Sequence, residues 1–181
     1  MSGFGAADCS RPDLTRASFV AANATLIGDV RLGQDVNIWY QAVLRGDCSP
    51  IILGEGTNIQ DGCILHGDPG EPTLLGDWVT VGHRAVIHSA QIQTGSLVGM
   101  GAIILNGVTV GQGCIIGAGA VVTKSVPDYS LALGMPAKVI REVTPQEAAD
   151  LIAHAQDYIA LARQHACQVL EGEGSPKMGL R

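Results

Sequence analysis

An aliphatic residue that returns every six positions through most of a chain leaves few folds open to it. From Val98 the series runs Val98, Ile104, Val110, Ile116 and Val122, with a small or aliphatic residue two places earlier at Ala102, Val108, Cys114 and Ala120. Glycine follows the aliphatic at Gly99, Gly111 and Gly117. The same step appears upstream as Leu32, Ile38, Leu44, then Leu53, Ile59, Leu65, then Leu75, Val81, Ile87. A helix repeats every three to four residues and a strand every two, so neither accounts for six. Short strands joined at corners do, with the aliphatics stacked inward and glycine supplying the corner angles. The pattern predicts a parallel β-helix with three six-residue sides per coil. An antiparallel sandwich of short, evenly spaced strands is the competing architecture. Periodicity does not settle the handedness.

Composition suits such a core: of 181 residues 46% are hydrophobic, only 4% are aromatic, and 24 are glycine. One domain is expected, the β-helix over residues 1–142. The segment "VTPQEAADLIAHAQDYIALARQHACQVL" changes character. Thr144, Pro145 and Glu147 form a capping-box start with proline at the first helical position. Leu151, Ile152, Ala155, Ile159, Ala162 and Ala166 then repeat at helical spacing. A helix over 143–170 should lay that stripe on the β-helix or on a neighbour, and 171–181 reads as a flexible tail. The fold class is therefore all-β, a parallel β-helix of hexapeptide repeats with a C-terminal α-helix.

A net charge of −6 without a basic run argues against nucleic acid and against anionic membranes as partners. Cys9, Cys48, Cys63, Cys114 and Cys167 are odd in number and never in C-x-x-C form, which indicates neither a disulfide framework nor a zinc knuckle and suits a reducing cytoplasm. No basic head precedes an apolar run at the N-terminus, and no segment approaches the roughly 18 apolar residues of a spanning helix. A soluble, unexported, cytoplasmic protein is expected.

The repeat also orders the histidines. The step from Leu65 to Leu75 is four residues too long for a hexad, so "GDPGEPT" is an insertion, and His66 and His88 lie one coil plus that insertion apart. Each follows an inward aliphatic, so the two stack on one face, within the few ångströms that shared metal ligation requires. Arg45 extends the column downward by the same reasoning, because the step from Leu44 to Leu53 carries a three-residue insertion. His83 stacks above Asp61 in a second column near a corner. A single subunit cannot readily point His83 at the centre defined by His66 and His88. A neighbour related by a threefold axis can, and a site on one face of one subunit is the competing geometry. Three neutral imidazoles with an open fourth position make a catalytic zinc site, which lowers the pKa of bound water to about 7. Clustering beside Arg45, Gln60 and Asp61 favours metal binding over three ordinary surface histidines.

"AVLRGD" (42–47), "TNIQDG" (57–62), His66, "VTVGHRAVIH" (79–88) and "LVGMGAIILNG" (97–107) together resemble the gamma-class carbonic anhydrase family, from about residue 12 to the helix. "GMPAKVIR" (134–141) is similar also to the end of many hexapeptide-repeat acyltransferases. The resemblance implies a left-handed β-helix and a homotrimer with Zn2+, or alternatively Fe2+ or Co2+, at each interface. It implies His66 and His88 from one subunit and His83 from the next as ligands. It implies interface salt bridges by Arg45 and Asp47, and Asn58, Gln60 and Asp61 around the metal-bound solvent, with Gln60 orienting it. Tyr158 resembles a family tyrosine near the active site. The implied reaction is reversible hydration of CO2 to bicarbonate by metal-bound hydroxide. Two departures point to a low activity. Cys48 stands where the best-studied type has a glutamate, and the loop "GDPGEPTLLG" is short and lacks the proton-shuttle glutamate, leaving Asp68 or Glu71 as substitutes. A metal-dependent thioesterase acting on acyl-coenzyme A, or an acyltransferase-like or non-enzymatic hexapeptide protein, are the alternatives.

Overall fold

Each coil of the chain is a triangle, and its three sides stack into three faces of a prism. The computed structural model describes residues 11–172, with side chains described to residue 167. The first face stacks strands Phe19–Val20, Asn37–Ile38, Asn58–Ile59, Thr80–Val81, Leu97–Val98, Ile115–Ile116 and Ser130–Leu133, each parallel to the next. The second and third faces begin together. The long strands Thr25–Leu32 and Val43–Leu53 run along both, Val43–Arg45 pairing with Ile64–His66 and Ile51–Leu53 with Thr73–Leu75. Above them the second face continues through Val86–His88, Ile103–Ile104 and Val121–Val122, and the third through Gln91–Ile92 and Thr109–Val110. An antiparallel partner of Ser130–Leu133, Lys138–Glu142, ends the stack.

The aliphatic of each hexad points inward. Ile38, Ile59, Val81, Val98 and Ile116 line one column, Leu44, Leu65, Ile87 and Ile104 the second, all fully buried, with Leu53, Leu75, Ile92 and Val110 in the third. The small residues two places earlier, among them Ala42, Cys63, Ala85, Ala102, Cys114 and Ala120, are equally buried and fill the corners. Turns at the corners need left-handed backbone angles. At the edge between the first and second faces, Gly82–Ala85 and Gly99–Ala102 close hydrogen-bonded turns with Arg84 (φ 61°) and Gly101 (φ 68°) in the third position, where such turns take a positive φ. His83 therefore sits at the tip of a corner.

The helix Pro145–Gly172 opens on the expected reciprocal cap: the Thr144 amide donates to Glu147 Oε2 at 2.9 Å and the Glu147 amide to Thr144 Oγ1 at 3.2 Å. Arg141 adds two charge-assisted bonds and, with the cap, pulls the Glu147 carboxyl down to about 2. The helix lies along the first face, burying Ala155, Ile159 and Ala162, with Ala162 against Phe19 and Trp39. Beyond residue 172 the expected tail lies outside the described residues, as does Cys9. No helix among the described residues is long and apolar enough to cross a membrane.

Truncating the central column should be costly and truncating the outer side of the helix should not. Ile87→Ala is expected to lower the unfolding free energy by about 2–5 kcal/mol through lost burial and a residual cavity. Leu161→Ala, at a position 39% exposed, should cost no more than about 0.5–1 kcal/mol. Equilibrium chemical denaturation measures both.

Candidate metal centre

Strand pairing puts the two second-face histidines where the repeat arithmetic does. Arg45 pairs with His66 and His66 with His88 in register, one directly above the other. Their rings lie 5.0 Å apart, and His66 Nδ1 faces His88 Nε2 at 3.0 Å. In the second column His83 Nδ1 lies 2.8 Å from Asp61 Oδ2, at the neighbouring corner. The two columns stay apart. Among the described residues the one group of three candidate ligands whose donor atoms converge is Asp47, Cys48 and His66, so His83 does not join His66 and His88 within one chain. The shared-face, single-subunit geometry is thereby disfavoured.

Hydrogen bonds assign the protons on these rings. Asn106 Nδ2 donates to Asp68 Oδ2 at 2.6 Å, which turns its Oδ1 toward His88 Nδ1 at 2.9 Å. His88 thus carries its proton on Nδ1 and a lone pair on Nε2. His66 Nε2 lies 3.2 Å from Asp47 Oδ1, an acceptor, so in neutral His66 the proton belongs on Nε2 and the lone pair on Nδ1. Two lone pairs then face each other across 3.0 Å. That contact needs a proton or a metal cation between them. Burial above all, and the charge of Arg45, hold the His66 ring below its ordinary pKa against the opposing pull of Asp47, which disfavours the proton near neutral pH. A cation fits: two nitrogens about 2.0–2.1 Å from one tetrahedral zinc lie roughly 3.3 Å from each other. His83 is prepared alike, with Nδ1 donating to a carboxylate and Nε2 left free on a side chain 41% exposed, the carboxylate–histidine arrangement common at metal sites.

Asp47 and Cys48 compete less well for a metal. Arg45 Nη1 already holds both oxygens of Asp47, at 3.0 and 2.8 Å. Burial works to raise the Asp47 carboxyl, but the hydrogen bonds of Arg45, Cys48 and His66 bring it below its ordinary range overall. Burial and the adjacent carboxylate push the Cys48 thiol up, so it is not activated toward metal or oxidant. Arg45 and Asp47, expected in interface salt bridges, pair with each other inside the chain; they project from the same side of the strand on either side of Gly46. A side chain at Gly46 would place Cβ 2.7 Å from the Asp29 backbone oxygen, so only glycine permits this spacing.

The remaining expected residues gather on the first face, under the helix. Gln60 Nε2 donates to Asn58 Oδ1 at 3.1 Å, Asn58 Nδ2 to Thr80 Oγ1 at 2.8 Å, and the His83 amide to Gln60 Oε1 at 3.3 Å. Asn58 is completely buried, so it acts as a rung supporting Gln60 and has no surface for solvent at a metal. Gln60, His83, Tyr158 and His154 line one groove of about 410 Å³, with Leu97, Met100 and Ile115 along its floor and wall. Tyr158 packs on Trp39 at 5.5 Å between ring centres, and burial, with the charge of Asp61, raises its hydroxyl pKa. Sequence reasoning missed Asn106 and His154. Asn106 stands 18 residues after His88, one uninterrupted coil above it, and the same column arithmetic reaches it. In metal-free protein, the His66 ring is expected to titrate below 6.5, its ordinary value, in a histidine NMR pH series; a midpoint above 6.5 would contradict the stated burial.

Comparison with known proteins agrees with the geometry. Residues 89–124 match the family model described as bacterial transferase hexapeptide (six repeats). The carbonic anhydrase of Geobacillus kaustophilus is 41% identical over 150 residues, covering 82% of each chain. Gamma carbonic anhydrase 2, mitochondrial, of Arabidopsis thaliana is 42% identical over 87% of this chain and 59% of its own length. Among solved structures, a hexapeptide transferase family protein from Anaplasma phagocytophilum superposes with a TM-score of 0.79 at 40% identity, over 84% of this chain and 90% of that one. With its left-handed β-helix of hexapeptide repeats and its stacked histidines, the chain belongs to the gamma carbonic anhydrase family.

Proposed function

We propose that the protein is a metal-dependent carbonic anhydrase that interconverts CO2 and bicarbonate as a homotrimer, with a zinc site at each interface. His66 and His88 of one subunit and His83 of the next would hold the metal, and iron or cobalt would suit the same three nitrogens. The observation that carries this reading is the pair of lone pairs on His66 Nδ1 and His88 Nε2, 3.0 Å apart with no proton assigned between them. The free Nε2 of His83 supports it, because that ring sits half-exposed at a corner and does not converge with the chain's own pair.

An outward column beside the two histidines supports the trimer. Val43, Ile64, Val86, Ile103 and Val121 stack in register on the second face, and Ile64 and Ile103 are 45% and 37% exposed. A continuous aliphatic stripe flanking polar ligands is the kind of surface that another subunit covers. Threefold closure would bring the next subunit's corner, with its His83, across that stripe.

When bound, zinc acidifies a coordinated water to a pKa of about 7, so the nucleophile for CO2 exists at neutral pH. The protein's own groups do the rest. Asp61 holds the His83 ring with Nε2 outward. Asp47, fixed by Arg45, accepts a hydrogen bond from Nε2–H of His66 and so leaves the Nδ1 lone pair free. Gln60 is anchored by Asn58 on one side and by the His83 amide on the other, with a second N–H and a second lone pair left to orient solvent beside His83. A reducing cytoplasm is the setting assumed, supported by the free thiols of Cys48, Cys63, Cys114 and Cys167.

A thioesterase on acyl-coenzyme A is the second reading, and one observation favours it: the groove of about 410 Å³ beside His83 is far roomier and more apolar than CO2 demands. An acyltransferase, suggested by the name of the Anaplasma relative, needs a histidine free of metal, and His154 is the groove's candidate.

Purified wild-type protein should carry one zinc or iron per chain, and His83→Ala and His88→Ala should each weaken metal binding by more than about 100-fold. Stopped-flow CO2 hydration by metal-loaded protein should exceed that of the metal-free chain. Equal rates would refute the carbonic anhydrase reading, and thioester hydrolysis lost with the metal would install the second one. A monomeric mass by light scattering would refute the shared site.

A further inference from the structure

We propose that Asn106 is a positioning residue for the metal centre: oriented by Asp68, its amide oxygen fixes His88 in the Nδ1-protonated form and so presents the Nε2 lone pair to a divalent cation. The inference rests on the functional reading above. Its basis is a relay of three side chains. Asp68 is a carboxylate and can only accept, so at 2.6 Å it selects the nitrogen end of the Asn106 amide. Glu71 Oε2, 3.5 Å from the same nitrogen, places a second carboxylate on that side. The reversed amide would set its oxygen against both carboxylates. With nitrogen toward the acids, oxygen must face His88, and at 2.9 Å it can only accept from Nδ1–H. The acid orients the amide, and the amide orients the proton.

The relay is anchored to the coil that bears the ligands. Asp68 belongs to the four-residue insertion after His66, where the Glu71 amide donates to the Asp68 carbonyl at 2.9 Å and closes a turn. The Asp68 amide in turn donates to Ser89 Oγ at 2.8 Å, and Ser89 is the residue after His88. The Ser89 amide lies 3.1 Å from both the His66 carbonyl and Thr73 Oγ1. The inserted loop is therefore laced between the two ligand strands, and its carboxylate works on the far nitrogen of a ligand. Partners of this kind set ligand tautomer and orientation, and their loss usually costs 10–100-fold in metal affinity.

Histidine-selective 15N spectra of the metal-free protein, taken at about pH 8 where an ordinary histidine is neutral, test the relay without any metal. Wild type should show His88 with Nδ1 protonated and Nε2 unprotonated. Asn106→Ala should move both resonances toward the averaged values of mixed tautomers, and Asp68→Ala should do so partly. The double variant Asn106→Asp with Asp68→Asn reverses the donor and acceptor between those two side chains while keeping an acceptor facing His88, and it should retain the wild-type tautomer, which a merely structural role for Asn106 would not predict. Zinc titration should then give about 10–100-fold weaker binding for Asn106→Ala. An unchanged His88 spectrum in Asn106→Ala, or zinc affinity within twofold of wild type, overturns the proposal. Wild-type protein that takes up no zinc overturns the functional reading, and the tautomer in the metal-free chain decides the part played by Asn106 in either case.

Discussion

The stacking of one inward aliphatic on the next, coil over coil, is the contact on which everything else in this chain depends. Leu44, Leu65, Ile87 and Ile104 are each fully buried, and each such side chain contributes about 1.5–3 kcal/mol of transfer free energy. A shift of one residue between neighbouring coils would turn that column outward and bring its polar neighbours in. The register is therefore held by many apolar contacts at once, and the polar groups are passengers on it. Because His66 and His88 each follow a column residue, they cannot avoid facing each other. The exposed Arg45–Asp47 pair, by contrast, is worth about 0–1 kcal/mol as an ion pair. Its importance lies in where it leaves the Asp47 oxygens.

On that rigid frame the chemistry is set by where protons can reside. Asp47, Asp61 and the Asp68–Asn106 couple each occupy one nitrogen of one histidine, and the other nitrogen of each ring is left with its lone pair. His66 and His88 turn theirs toward each other, while His83, on a corner turn, stays apart from that pair. Three rings prepared in the same way, of which only two converge within one chain, are what the proposed division of each site between two copies requires. The apolar outward column from Val43 to Val121 would give that copy a surface to sit on.

Much of this is legible in the sequence because the repeat converts spacing into height. Counting coils, with the insertions after Leu44 and Leu65 set aside, stacks Arg45, His66 and His88, and separately Asp61 and His83; the strand register agrees at each pair that it records. The helix start was equally legible, since a capping box is local and both its bonds form. What spacing does not carry is lateral reach. Asp47 touches His66 by leaning sideways from the same strand as Arg45, and nothing in a six-residue period encodes that contact. Asn58 matches the family pattern in sequence, yet the helix docking on the first face buries it completely, because burial there depends on how a distant segment packs. Asn106 lies within reach of the same counting, but an asparagine carries no charge that marks it as a partner of a metal ligand.

The central claim, that each metal site is divided between two chains, is tested most directly by mixing two crippled proteins. One carries His83→Ala and keeps His66 and His88; the other carries His66→Ala and His88→Ala and keeps His83. Neither alone should hold metal. Co-refolded at equal amounts into mixed trimers, they should recover metal at about one interface in four, the fraction at which an intact pair meets an intact His83 under random closed assembly. Mixed trimers that form and still hold no metal would contradict the account.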